Sequence, residues 1–270
     1  NNINLKLKDL ANLIVKELDD MQVELQNGER IDQLYSKGIQ IIQSKDVFSF
    51  SLYAVLLADF VKVNGHKTRQ IVDLCSGNGA VGLFLSEKTA AHITMVEIQE
   101  RLAEMAQRSI QLNELGAQID VVNDDLKNAA KYINKDSVDI VACNPPYFVN
   151  YEDSEKNPNQ YLAIARHELT TNLDEIVNCA AGLLKMNAKL FMVYRPDRLT
   201  DLLVALRAHR LEPKRLKFVR PRQGENANMV LVEAIKDGKP NGLKVEPDVL
   251  TYDGDDYTDE VKMMLYGSGK

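Results

Sequence analysis

Two rhythms of apolar and polar positions run along this 270-residue chain. Apolar residues recurring every three to four positions predict amphipathic helices, and short apolar runs bounded by Gly, Asn or Asp predict strands. The helical rhythm covers residues 5–20, 51–61, 99–112, 199–208 and 258–266. Asn172-Leu173-Asp174-Glu175 has the form of a capping box and predicts a further helix through Leu184. Strand-length runs begin at Ile71, His92, Ile119, Val138, Lys189, Arg215 and Met229, and shorter strands or turns are expected across 31–43. Strands alternating with helices predict an α/β protein. The connection between the last two runs is short, which predicts antiparallel pairing there. Residues 148–166 are polar, long and rich in Asn, Glu and Tyr, as substrate loops are.

Four segments follow from this pattern: an extension over 1–20 to which no function is assigned, a strand and helix cap over 21–65, a core over 66–236, and an acidic tail with a short helix over 237–270. No apolar run approaches the roughly 18 residues of a membrane span, and no signal-peptide pattern opens the sequence. Cys75, Cys143 and Cys179 match neither a disulfide framework nor zinc spacing and read as core fillers in a reducing cytoplasm. The net charge of −6 argues against a general nucleic-acid binder. Its distribution changes that picture, because residues 195–222 hold nine Lys or Arg against three Asp or Glu. Such a segment is a candidate surface for a phosphate backbone. Residues 246–260 hold seven acids and no base.

The chemistry gathers at Asn144-Pro145-Pro146-Tyr147, directly after a strand-length run. Two prolines remove two backbone donors and hold the path extended, which suits the end of a strand and not its interior. The Asn144 side-chain oxygen and the Pro145 carbonyl can accept from one amino group, and Tyr147 offers a face for a planar base or amide. Gly77-x-Gly79-x-x-Gly82 follows another strand and lets a ligand approach backbone N–H groups closely. Asp73 precedes this loop, where a carboxylate can take a cationic group. Glu97 ends the next strand, where an acid can bind ribose hydroxyls. Asp124 and Asp125 end the strand after that, and either can accept from an adenine amino group. Phe48, Phe50 and Ser51 are placed to roof the same pocket. Tyr151, Tyr161, Arg166 and His167 lie near the polar stretch.

The order of these motifs resembles the Rossmann-like, class I methyltransferases that use S-adenosylmethionine. The residues Ile41-Ile42-Gln43, Phe48-Ser49-Phe50-Ser51, Asp73-Leu74-Cys75-Ser76-Gly77-Asn78-Gly79, Asn144-Pro145-Pro146-Tyr147-Phe148 and Ala165-Arg166-His167-Glu168 are similar to those of the bacterial tRNA (valine) adenine-N6 methyltransferase family. The resemblance implies a mostly parallel seven-stranded sheet with an antiparallel last strand and helices on both faces. It implies methyl transfer to the N6 amino group of an adenine in a single-stranded loop of tRNA, without a metal; no membrane partner is expected, and the oligomeric state is left open, a monomer being slightly favoured. Asn144, Pro145 and Tyr147 would carry the chemistry. Ser51, Asp73, Cys75, Gly77, Gly79, Glu97, Ile98, Asp125, Leu126 and Asn144 would hold the cofactor, and Pro146, Phe148 and Arg166 the substrate. Two departures stand out. Tyr53 occupies the place of the family's usual Asp, and Lys185-Met186-Asn187-Ala188 replaces a glycine-rich turn. Other readings are guanine methylation in ribosomal RNA, glutamine methylation in a protein, a cofactor-binding RNA protein without catalysis, and a nicotinamide-dependent dehydrogenase.

Overall fold

Adjacent residues of the central strands point to opposite faces, and both faces are dry. On one side lie Ile71, Ile93, Ile140, Ala142, Phe191 and Val193, and on the other Val72, Leu74, Val141, Cys143, Leu190 and Met192. A sheet buried on both faces reads as continuous apolar runs, which is why the strands stand out in the sequence. The computed structural model describes residues 23–34, 38–45, 52–65, 67–146 and 173–267.

A hairpin of β1 (Glu29–Leu34) and β2 (Ile39–Ser44) comes first. Helix α1 (Leu52–Phe60), β3 (Gln70–Leu74), α2 (Ala80–Ser86), β4 (His92–Glu97), α3 (Glu100–Leu112) and β5 (Ile119–Asn123) follow. A 3-10 turn (Leu126–Lys131), β6 (Val138–Cys143), α4 (Leu173–Leu183), β7 (Leu184–Tyr194), α5 (Leu199–Ala208), β8 (Leu211–Arg220) and β9 (Met229–Lys236) complete the expected core. Then come β10 (Lys244–Leu250), a small ribbon of β11 (Tyr252–Asp253) and β12 (Asp256–Tyr257), and α6 (Asp259–Tyr266). The main sheet runs β10-β8-β9-β7-β6-β3-β4-β5. Only β9 is antiparallel to its neighbours, as the short β8–β9 connection predicts. Helices α1, α2, α3 and α6 contribute to the apolar layer on one face, while α4, α5 and the 3-10 turn pack on the other.

The sheet has eight strands, not the expected seven, and the eighth comes from the segment read as an acidic tail. Strand β10 pairs parallel with β8, and Val249, Val261 and Leu265 bury in the core. The same packing draws the middle of the basic segment into the fold. Arg215 pairs with Glu233 at 2.7 Å and Glu246 at 3.3 Å, Lys217 with Glu260, and Arg220 with Asp248. Local acids take Arg195, Arg198, Arg207, Arg210 and Arg222, and main-chain carbonyls take Lys214. Opposite charges far apart in sequence have met across adjacent strands.

The β1–β2 hairpin is fastened to α3. Ile42 N donates to Ser109 Oγ at 3.0 Å, and Arg108 reaches both oxygens of Glu29 at 2.7 and 2.8 Å. Asn187, in the replaced turn before the paired part of β7, has φ 64°. Asn tolerates this left-handed conformation better than other non-glycine residues, so the departure is absorbed locally.

Candidate functional site

The carboxyl ends of β3, β4, β5 and β6 lie along one edge of the sheet, and each delivers a predicted residue there. Asp73 is buried. Its Oδ2 accepts from Gly82 N at 2.9 Å, while Oδ1 has no partner among the described residues. Burial pushes this carboxyl up to about 8, the Gly82 N–H works against the rise, and nearby Glu97 adds to it. Ser76 Oγ, three residues on, is likewise buried without a partner among the described residues. Two unmatched polar atoms at one loop suit a polar, cationic ligand group.

The glycine spacing divides into two roles. At Gly77, with φ 57°, an added Cβ would meet nothing within 4 Å, so the loop faces open space. At Gly82 it would lie 2.5 Å from Met95 Cε and at Gly79 3.0 Å from Met95 Sδ, so those two glycines let α2 pack on β4. Glu97 Oε2 accepts from Gly77 N at 2.7 Å and Oε1 from Gln99 N at 2.9 Å. Asn78 Nδ2 donates to Ile42 O at 3.0 Å, tying the loop to the hairpin. Ile98 is an exposed apolar residue beside Glu97. Cys75 takes φ 57°, and Cys143 lies next to it, its thiol pushed well up by burial and then by Cys75 itself.

The structure separates the two acids after β5. Asp124 accepts from Asp125 N and Asn128 Nδ2 through Oδ1 and from the Tyr132 hydroxyl through Oδ2, and the Asn128 and Tyr132 bonds hold its carboxyl below the usual range. Asp125 caps the 3-10 turn through Oδ1, which accepts from Lys127 N at 2.9 Å. Leu126 is buried, and its carbonyl accepts from Cys179 Sγ at 3.3 Å. The Cys179 thiol is pushed up to about 12, chiefly by burial. The cysteines, far apart in sequence, thus gather behind the site.

Strand β6 pairs with β3 so that Leu74 faces Cys143. Asn144 therefore leaves its strand beside Cys75, next to the glycine loop. Asn144 is half-buried, Pro145 buried and Pro146 exposed. Ser51, Tyr147, Phe148 and Arg166 lie outside the described residues, as do Phe48, Phe50, Tyr151, Tyr161 and His167. Among the described residues, no group of His, Cys, Asp and Glu has the arrangement of a metal site.

Sequence reasoning missed one feature of this edge. Beyond β7 lies an open pocket of about 480 Å³, lined among the described residues by Tyr53, Arg195, Pro196, Asp197, Ala227, Asn228 and Met229. Asn228 Nδ2 donates to the Tyr53 hydroxyl at 3.0 Å. The sequence signal was the departure at Tyr53, but nothing in the pattern linked that residue to Asn228, 175 positions away.

Comparison with known proteins places these observations in a family. The methyltransferase small domain family matches residues 39–201. A relative from Bacteroides thetaiotaomicron, named tRNA1(Val) (adenine(37)-N6)-methyltransferase, is 31% identical over 145 residues, which cover 53% of this chain and 58% of that one. A Phocaeicola vulgatus protein of the same name is 26% identical, covering 61% and 68%. The chain thus spans a little over half the length of the first curated relatives it matches. Among solved structures, a predicted O-methyltransferase, Atu636 from Agrobacterium tumefaciens, superposes with a TM-score of 0.61 at 22% identity, covering 78% of this chain and 94% of that one. At that identity the likeness speaks for the fold alone.

Proposed function

From the premise that the chain belongs to the methyltransferase small domain family, we propose that it transfers a methyl group from S-adenosylmethionine to the N6 amino group of an adenine in tRNA. The observation that carries this reading is the placement of Asn144-Pro145-Pro146 beside the Asp73–Gly77 loop by the pairing of β6 with β3. The name shared by the relatives supports tRNA as the substrate.

The residues present fit the cofactor. The unmatched Asp73 Oδ1 is placed for an ammonium group, the open face at Gly77 for close approach of a main chain, Glu97 for ribose hydroxyls, and Ile98 with Asp125 for an adenine ring and its amino group. Bound there, S-adenosylmethionine supplies a methyl carbon already activated by a sulfonium. The chain's task is then mostly positioning. The Asn144 side-chain oxygen and the Pro145 carbonyl accept the two hydrogens of the target amino group and turn its lone pair toward the methyl. By the motif's resemblance, Tyr147 and Phe148 would stack on the unpaired base and Arg166 would contact the substrate. Nitrogen would gain the methyl as the carbon–sulfur bond breaks and its electron pair returns to sulfur, leaving S-adenosylhomocysteine, and the cationic methylated amine, being acidic, then loses a proton to solvent.

The test is transfer from labelled S-adenosylmethionine to bulk tRNA from a strain lacking this gene, followed by nucleoside analysis. Labelled N6-methyladenosine is the expected product. Label in ribosomal RNA or in a protein glutamine, with none in tRNA, would replace the substrate and keep the chemistry. The internal pairing of Arg215, Lys217 and Arg220 weakens the argument for RNA over protein drawn from charge, so this comparison decides the substrate.

A further inference from the structure

The cavity on the far side of Asn144 has no role in the reading above, and its position suggests one. Cys143 pairs with Met192, and Tyr194 with Val230. The chain therefore leaves β6 at Asn144 one strand away from Arg195, and Arg195 leaves β7 one strand away from Met229. Along this edge the order is glycine loop, Asn144, then the cavity. A target base gripped at Asn144 has the cofactor loop on one side and the cavity on the other.

Resting on the tRNA reading, we infer that this cavity receives the nucleotide adjoining the target adenine, with Arg195 contacting its phosphate and Tyr53 and Asn228 its base. The volume of about 480 Å³ falls within the range of small-ligand sites, roughly 300–1,000 Å³. The lining is mixed in the way a nucleotide requires: a guanidinium, a phenol and an amide, with Pro196, Ala227 and Met229 as apolar wall. The Tyr53–Asn228 hydrogen bond fixes the phenol against the amide. Arg195 holds Asp197 through Nε at 3.0 Å and Nη2 at 2.8 Å. That pair is solvent-exposed, and an exposed pair is weak enough for a phosphate to displace it. Guanidinium geometry suits bidentate phosphate contact. Further along, Arg222 lies 5.3 Å over the Tyr252 ring, so the edge continues with the side chains that single-stranded RNA uses.

Asp197 gives the inference opposite signs to test. Affinity for bulk tRNA lacking the modification would be measured against salt concentration for the full-length protein with S-adenosylhomocysteine present, beside the affinity for S-adenosylhomocysteine alone. Arg195→Ala is expected to weaken tRNA binding about tenfold and lower the salt slope by about one. Asp197→Asn should tighten tRNA binding, since it removes a competing carboxylate from beside the guanidinium. Ala227→Trp, which fills the cavity without changing charge, should weaken binding with the salt slope unmoved. S-Adenosylhomocysteine affinity should hold in all three. Unchanged tRNA affinity in Arg195→Ala and Ala227→Trp, with the wild type binding and methylating tRNA, would overturn the inference and leave the proposed function standing. Loss of S-adenosylhomocysteine binding in step with tRNA binding would also overturn it, as a general disruption. A wild-type protein that neither binds nor methylates tRNA would overturn both readings.

Discussion

Asp73 is where burial and chemistry conflict most sharply. An ordinary aspartate titrates near 3.8, and here burial raises the carboxyl to about 8. The folded protein therefore keeps a proton that the unfolded chain gives up between those values. That contribution to stability is complete below the unfolded value and is lost as pH rises toward about 8. Thermal melts of the free protein should show this loss between pH 5 and 8, and Asp73→Asn should flatten it. An ammonium group beside Oδ1 favours the ionised carboxylate, so cofactor binding at pH 7 should release close to one proton. Calorimetry in buffers of different ionisation heat would count it, and zero release would remove Asp73 from the cofactor site. Asn144→Ala separates the two halves of the site. Transfer should fall at least about a hundredfold, the scale of a misplaced reacting group, while cofactor affinity stays nearly constant. A matching loss of cofactor affinity would count against the role given to Asn144. Asp73 and Glu97 stand out in the sequence as acids near the carboxyl ends of strand-length runs and Asn144 as the residue just past one, and the structure brings all three to one edge. The preference for Asp125 over Asp124 came from the resemblance, and the bonds that occupy Asp124 belong to the 3-10 turn and leave no mark in the pattern.

Among the elements, those whose periodicity reflects burial were read nearly to their ends, and those governed by neighbours were misjudged. Helix α4 was expected through Leu184 and ends at Leu183, and α6 begins one residue after the expected Thr258. By contrast, β8 starts at Leu211, four residues before the apolar run, and Pro213 sits where its pairing with β9 shifts register. A proline argues against a strand unless a bulge accommodates it, and the partner that does so is invisible locally. Strand β10 fully buries only Val249 and has no apolar rhythm. Its place comes from Val249 and from α6, whose Thr258 does two things. The Thr258 hydroxyl accepts from Val261 N at 3.3 Å and donates to Leu250 O at 2.7 Å. Thr258→Ala should therefore cost about 1 kcal/mol in urea denaturation, with Thr258→Ser recovering most of it. No loss in Thr258→Ala would mean that β10 and α6 are held by apolar contacts alone.

Across the whole molecule, charge was the signal that misled, because a run of charge is counted along the chain and its partners are chosen across the sheet. Residues 195–222 and 246–260 look like a basic surface and an acidic tail, yet β8 lies beside β10 and three ion pairs join the two segments. Arg215 is the centre of this arrangement. It is buried, lies 3.8 Å from the Phe60 ring centroid, donates to Phe60 O at 2.8 Å, and pairs with Glu233 and Glu246. Burial works to raise the Glu233 carboxyl, but Lys189 and Arg215 together hold it below the usual range. Removing Arg215 leaves a buried carboxylate with one partner fewer, a change of about 3–5 kcal/mol for a broken buried pair. Arg220 and Asp248 form a more exposed pair of the same kind, so Asp248→Arg should destabilise by setting like charges side by side. The swap Arg220→Asp with Asp248→Arg should recover most of the loss, a coupling that a double-mutant cycle measures. Neither Lys217→Ala nor Arg220→Ala should alter tRNA affinity or its salt slope, because those charges already serve the fold. Arg195→Ala should do the reverse, shifting the salt slope with little change in stability. Equal effects on RNA binding from all three substitutions would restore the basic segment as a phosphate surface, with the C-terminal acids competing for it.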